Sequence, residues 1–508
     1  MKFMRLTAAA LAGVAAMLVA DDAFAQKSAD TIRIAMNYPT KRLSGYYQPE
    51  PEAGMFYRLI EEPLIRYDEG NGKFVPVLAT SWKRVDDKTL EFQLREGVKF
   101  HNGNGFDADD VVHIFNWRSD PKLRIPFATR FAWAEGIEKA GPMSVRIRAK
   151  QPVAVDMMVL AYNLFIQDSE VHAKLADKSE YGLNPIGTGP IRLEKLDQNE
   201  GISVVPFDGN KHADPIKFKR MRGIPIPDAQ TQSAHLLTGS IDALQPQTLD
   251  EMENYAKLPN LKVVSKDQFS LLWLGLDTRN RSGRPELQDA RVRKAIFMAI
   301  DRKGISENFV PGRSRMIDAL CFPGMLACAY NKTPPAYDPA GARKLLAEAG
   351  YANGFDLELV TRGLSRPAGI AMTGQLRAVG IRAEIKHMTL STYRDYREQG
   401  KIQAIATDSP VGSTPDTSNV MLQQFGSAAR DFAVDDDIQQ WMSAAIGIHD
   451  VDKRKEYYAK IHDRIVEQSY LLPIATWPVT WVLHKDLDLL PPTWNSATMS
   501  VHDFAWKR

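Results

Sequence analysis

Two hydrophobic periods alternate along this chain, and together they decide its fold class. A period of two, the mark of a half-buried strand, runs through Thr31–Met36 and returns at Leu90, Phe92 and Leu94 and at Val145 and Ile147. Helical spacing puts Val292, Ala295, Ile296, Ala299 and Ile300 on one face, and does the same for Tyr458, Ile461 and Ile465. Two helix starts are explicit. Asp107 precedes Ala108-Asp109-Asp110-Val111, and Asp338-Pro339 sets a capping side chain before a proline at the first helical position, with Gly350 ending that helix. Strands and helices interleaved over 508 residues, at ~100–200 residues per domain, give a mixed α/β protein of several units. Stretches rich in Pro and Gly at 184–190, 223–227 and 321–335 are its expected connections.

The amino terminus carries an address. Lys2 and Arg5 precede an apolar, Ala-rich run at 6–20, and Ala23-Phe24-Ala25 offers small residues where signal peptidase needs them, so residues 1–25 read as a cleaved signal peptide. The run ends in Asp21-Asp22 and is shorter than the ~20 apolar residues of a membrane anchor. Residue 26 is Gln, with no Cys to take a lipid, so the mature chain is expected free in the periplasm of a bacterium with two membranes. In that oxidising compartment Cys321 and Cys328, the two cysteines, are expected to form a disulfide.

Composition narrows the partners. Sixty-four Lys and Arg against 62 Asp and Glu leave a net charge of +2, which gives no general pull toward nucleic acid or an anionic membrane. Motifs of catalysis are missing: the sequence has no GxSxG or HExxH, and its ten histidines are scattered, so neither an enzyme nor a metal or other cofactor is expected. Gly187-Thr188-Gly189-Pro190 lacks the Lys-Ser/Thr of a phosphate loop and reads as a tight turn into a strand. Lys217, Lys219, Arg220 and Arg222, set around Phe218 and Met221, read as a strand with a solvated face.

A series of blocks then points to a family. Pro76-Val77-Leu78-Ala79-Thr80-Ser81-Trp82, the run from Leu94-Arg95-Glu96-Gly97-Val98 to Phe100-His101-Asn102-Gly103, Ala108-Asp109-Asp110-Val111-Val112, and Asn184-Pro185-Ile186-Gly187-Thr188-Gly189-Pro190 occur in order. Gly239-Ser240-Ile241-Asp242, Asp289-Ala290-Arg291-Val292-Arg293-Lys294-Ala295, Ala299-Ile300-Asp301-Arg302 and residues 461–473 complete the series. The chain resembles the extracellular solute-binding proteins of family 5, the receptors of dipeptide, oligopeptide and nickel ABC importers. The resemblance implies an α/β, two-lobed Venus-flytrap fold enlarged by an additional subdomain. After the signal peptide, the first lobe is expected at 26–70, 187–268 and 475–508, the subdomain at 71–186 and the second lobe at 269–474. It also implies a monomeric receptor that binds a small peptide or other carboxylate-bearing solute between its lobes and hands it to a permease, without chemistry; some relatives carry nickel chelates or haem instead. An exported hydrolase is the alternative from another class.

Site residues follow from the same resemblance. In dipeptide receptors of the family, an Arg in Ser-Arg-Pro pairs with the ligand carboxylate, and Ser365-Arg366-Pro367 here follows the strand 356–361. Arg366 is therefore the first candidate, because guanidinium matches a carboxylate with parallel donors, and Arg362 is the second. The acid that holds a peptide ammonium is absent: Gly412 falls at its position and Ser409 at that of the neighbouring aromatic, leaving Asp408 and Asp416 as alternatives. That departure favours a solute whose far end is uncharged. Tyr46, Tyr47 and Trp273 are the candidate aromatic walls, with at most one of the two tyrosines facing the cleft if that segment is extended.

Overall fold

A computed structural model describes residues 30–47, 51–68, 71–126, 128–246, 248–266, 269–312, 314–322, 324–410, 414–428, 430–489 and 504–507. The expected signal peptide lies outside them, as does Gly412. Strand β1 (Thr31–Met36) opens a first sheet, which the chain leaves through helix Pro51–Ile60. A separate antiparallel sheet follows, made of β2 (Ala79–Asp86), β3 (Thr89–Leu94), β4 (Ala134–Gly141) and β5 (Ser144–Ala149) in the order β2-β3-β5-β4. Helix α1 (Ala108–Ser119) packs on it. Asp107 starts that helix as expected: it accepts from Asp109 N, while the Asp110 carboxylate accepts from Asp107 N at 3.0 Å, so two otherwise orphaned donors are satisfied.

The chain then returns to the first sheet as β6 (Ile191–Asp197), β7 (Gly201–Pro206), β8 (Arg220–Pro225), β9 (Ala243–Leu244) and β10 (Leu261–Lys266). It crosses to a second sheet with β11 (Ser270–Leu276), adds β12 (Asp356–Arg362), β13 (Arg382–Met388), β14 (Ala404–Pro410) and β15 (Leu471–Thr476), and crosses back as β16 (Val479–His484). The first sheet has the order β10-β16-β9-β1-β8-β7-β6 and the second β13-β12-β14-β11-β15. The two crossings run side by side: Lys266 is the partner of Val479, the hydroxyls of Ser265 and Thr480 are 3.0 Å apart, and Trp477 N donates to Ser270 O at 2.8 Å.

Each sheet is buried on both faces. Leu272, Leu274 and Leu276 enter one core of the second sheet, and Leu271 and Trp273 enter the other, so β11 is apolar throughout. The core around Ile32, Phe56 and Val204 of the first sheet continues without a break into Phe92 and Phe115 of the four-stranded unit. That unit also touches the second lobe, where Ala154 N donates to Ile446 O at 2.7 Å and His449 Nε2 to Asp87 O at 2.8 Å.

One expected connection is partly strand. Residues 223–225 lie in β8 and pair with β1, Ile34 against Gly223 and Met36 against Pro225. Composition misleads there because Gly223 is used for packing: a Cβ would stand 2.4 Å from Met36 Sδ. At 184–190 the turn is as expected, and its glycines are pressed on the helix before it, with Gly189 N donating to Ile60 O at 3.0 Å.

Candidate ligand cleft

Strands β12, β13 and β14 run parallel, so their carboxyl ends emerge on one edge of the second sheet. Strand β11 begins and β15 ends on that same edge, where Ser270 pairs with Pro410 and Leu271 with Thr476. The first sheet mirrors this, with β1 parallel to β8 and β9 and all three ending on the side where β10 and β16 meet the crossings. Both sheets therefore turn the carboxyl ends of their parallel strands toward the crossings, which is where open α/β sheets bind ligands.

Arg362 closes β12. Its Nη2 donates to the backbone carbonyl of Asp408, its guanidinium carbon lies 5.6 Å from the ring centroid of Tyr393, and its Nε is enclosed without a partner. Asp408 lies in β14 opposite Leu272, and pairing with β11 carries that strand on to Pro410. Its Oδ1 is enclosed without a hydrogen-bond partner, and burial pushes its carboxyl above the ordinary range although Arg362 opposes the shift. Gly363 stands between the two, with a left-handed φ of 52° and a Cβ position 3.9 Å from Asp408 Oδ1.

Three residues on, Arg366 begins helix α2 (Arg366–Ala378). Ser365 sets that start by donating to Arg362 O at 2.7 Å and to Ala406 O at 3.1 Å, which binds the turn to both parallel strands. Arg366 is exposed and has no hydrogen-bond or ion-pair partner among the described residues. Partial burial, and then the charge of Arg366, lower the pKa of the neighbouring His387. The edge thus carries two guanidiniums and one carboxyl whose ionisation is disfavoured, an arrangement that attracts an anionic group.

The other candidates are placed elsewhere. Asp416 is fully enclosed at the start of helix α3 (Thr417–Phe425), where its Oδ1 accepts from Ser418 N at 2.8 Å and Ser418 Oγ at 2.6 Å and pairs with Arg454. Its charge is spent inside the lobe. Trp273 is 1% exposed in the core with Leu271, Ile405 and Met421, because its strand is covered on both faces. Tyr46 is buried too: its hydroxyl donates to Phe165 O at 2.6 Å and accepts from Phe165 N at 2.9 Å. Tyr46 and Tyr47 both lie against Trp117, at ring separations of 5.1 and 6.2 Å, since this segment turns and does not hold them on opposite faces. Tyr47 stays half-buried. Cys321 and Cys328 are joined by a disulfide.

Tyr38 was not singled out from sequence. It follows β1 at the corresponding edge of the first sheet and is 60% exposed, while Asn37 beside it is held by Glu52 and Gln232. An aromatic two residues beyond a strand that runs toward the crossings is the signal that finds it.

Two sheets joined by two adjacent crossings, with facing carboxyl ends and a charged edge between them, define the class: a two-lobed solute-binding receptor. Residues 73–432 match the family described as bacterial extracellular solute-binding proteins, family 5 (middle region), and the chain belongs to that family. It is 27% identical over 380 residues to the glutathione-binding protein GsiB of Escherichia coli K12, covering 74% of this chain and 72% of that one. The fold is similar to a dipeptide-binding protein of Pseudoalteromonas sp. SM9913 solved with Met-Leu (TM-score 0.77, 20% identity, 94% of this chain and all of the other). It is similar as well to NikA of Brucella suis solved with Fe(III)-EDTA (TM-score 0.80, 22% identity, 94% and 100% covered). Among the described residues no helix is long and apolar enough to cross a membrane.

Proposed function

We propose that this protein is the periplasmic receptor of an ABC importer, exported by cleavage after Ala25, not lipid-anchored, monomeric, and without catalytic activity. It captures a peptide or peptide-like solute that presents a carboxylate, and passes it to its permease. The first lobe comprises about 26–70, 187–268 and the segment from 477 onward, the subdomain about 71–186, and the second lobe 269–476; this division keeps β15 whole with the sheet that contains it.

One observation carries the reading: Arg366 stands exposed and unpaired at the cleft edge, next to Arg362. A guanidinium left without a carboxylate by its own chain is a ready partner for one that arrives. Asp408 supports an uncharged far end, because an acid whose ionised form is disfavoured is a poor ammonium partner.

The test is a thermal-shift screen of protein unfolded and refolded to strip carried-over solute, against glutathione, dipeptides, N-blocked amino acids, other organic acids and carboxylate metal chelates. A solute at ~100 times its dissociation constant adds about 2.7 kcal/mol of stability. Carboxylates are expected to raise Tm in the parent chain and not in Arg366→Ala. A Tm that no member of the set moves sinks the reading.

A further inference from the structure

We propose that Leu326, carried on the turn closed by the Cys321–Cys328 disulfide, is a wall of the ligand cleft that limits the length of solute the closed receptor accepts. This rests on the receptor reading above and adds a specificity-determining residue to it.

The main chain of Leu326 belongs to the second lobe. Its N–H donates to Pro415 O at 2.7 Å, and its carbonyl accepts from Thr417 N and Thr417 Oγ1, each at 3.0 Å. That pairing fastens it to the segment that follows cleft strand β14, just where Asp416 is locked to Arg454. The side chain of Leu326 reaches the other way and packs on the core shared by the first sheet and the subdomain. One residue thus has its backbone in one body and its apolar side chain against the other, across the gap a solute must enter.

The turn is built not to yield. Phe322 stacks on Phe269, which begins the second lobe at the first crossing, with centroids 5.4 Å apart and planes at 17°. Ala327 takes a left-handed φ of 59°, a conformation that an alanine adopts only when its surroundings impose it. A disulfide spanning a sequence separation of 7 closes a short loop, and so ties the two ends of this turn to each other as well as restricting the unfolded chain. A rigid wall discriminates by size because a longer solute can fit only by breaking the contacts that hold it.

The experiment compares Leu326→Ala, Leu326→Phe and the double Cys321→Ser/Cys328→Ser variant with the parent chain. Calorimetry with dialanine, trialanine, N-acetyl-dialanine and N-acetyl-trialanine reads solute size, and the solution radius of gyration without ligand reads lobe separation. Truncation should shift the affinity ratio toward the longer probes at least tenfold, enlargement should shift it the other way, and loss of the disulfide should act like truncation. Leu326→Ala should also expand the unliganded particle, since it removes an apolar contact between the lobes. A size ratio unchanged in both Leu326 variants overturns the proposal. If the parent binds none of the probes, the ligand class proposed above has failed, and the radius decides the wall: expansion of Leu326→Ala upholds the contact between lobes, and no change overturns it.

Discussion

Arg454 and Asp416 form an ion pair in which each side chain is 1% exposed, at the point where helix α3 leaves the segment behind the cleft strand. Removing one member of such a pair strands the other charge away from water, which costs about 3–5 kcal/mol. Asp416→Ala should lower the stability of the second lobe by that amount in urea unfolding. Arg366→Ala, which removes an exposed and unpaired side chain, should change stability by less than ~0.5 kcal/mol. Equal losses in the two variants would show that the acid, too, is dispensable to the fold.

Arg366 and Asp408 should separate by ligand chemistry. A hydrogen bond to a charged group is worth about 1.5–3 kcal/mol, so Arg366→Ala should weaken any bound carboxylate roughly 10- to 150-fold in calorimetry. Asp408→Asn should leave solutes without a free amine almost unaffected, because they bring no cation for that carboxyl to hold. A large loss for those solutes would mean that Asp408 acts as an anion in the complex.

Gly187 and Gly189 should not accept a side chain. A Cβ on Gly187 would fall 1.7 Å from Ile60 O and one on Gly189 would fall 2.0 Å from Leu59 O, both main-chain atoms at the end of helix Pro51–Ile60. Gly187→Ala or Gly189→Ala should cost more than about 3 kcal/mol, whereas Gly105→Ala, with nothing within 4 Å, should stay within ~0.5 kcal/mol. Thermal unfolding of the three variants decides the matter.

Glu61 gives stability a pH dependence of defined sign. Burial pushes its carboxyl up to about 8 despite hydrogen bonds from Gln167 Nε2 at 2.7 Å and Gly45 N at 3.3 Å. Between the ordinary carboxyl value near 4.5 and about 8 the folded chain keeps this proton while the unfolded chain has lost it. The contribution is therefore complete at the acid end and falls as pH rises, by at most ~1.4 kcal/mol per unit. Glu61→Gln should flatten this slope in denaturant titrations between pH 5 and 8; an unchanged slope would place its source in another group.

What was legible in the sequence is what local chemistry dictates. Asp107 and Asp338 announce helix starts because a short carboxylate satisfies free N–H groups nearby in sequence, and Thr31–Met36 announces a strand through its alternation. The blocks at 76–112 and 184–190 carried the family because they shape turns and caps that need particular residues. The cleft was legible only in part. Arg366 was singled out from Ser365-Arg366-Pro367, Arg362 from its place four residues earlier, and Asp408 as a nearby acid, which the structure puts within β14. Asp416 looked like Asp408 in sequence, yet Asp416 is bound by Ser418 and paired with Arg454 inside the lobe, while Asp408 lies at the end of β14 beside Arg362.

The sequence alone determined the α/β alternation and the family, and it singled out the arginines at the end of β12, since each rests on neighbours along the chain. Tertiary structure alone decided that Asp416 is held in an internal ion pair, that Trp273 and Tyr46 serve packing, that Tyr38 stands at the opposite edge, and that Leu326 bridges two bodies. Arg454 lies 38 residues from Asp416, and Tyr46 lies 119 from Phe165. Partners so distant are chosen by how sheets and helices pack, and no local pattern records which buried group will meet a charge and which will be left open to a ligand.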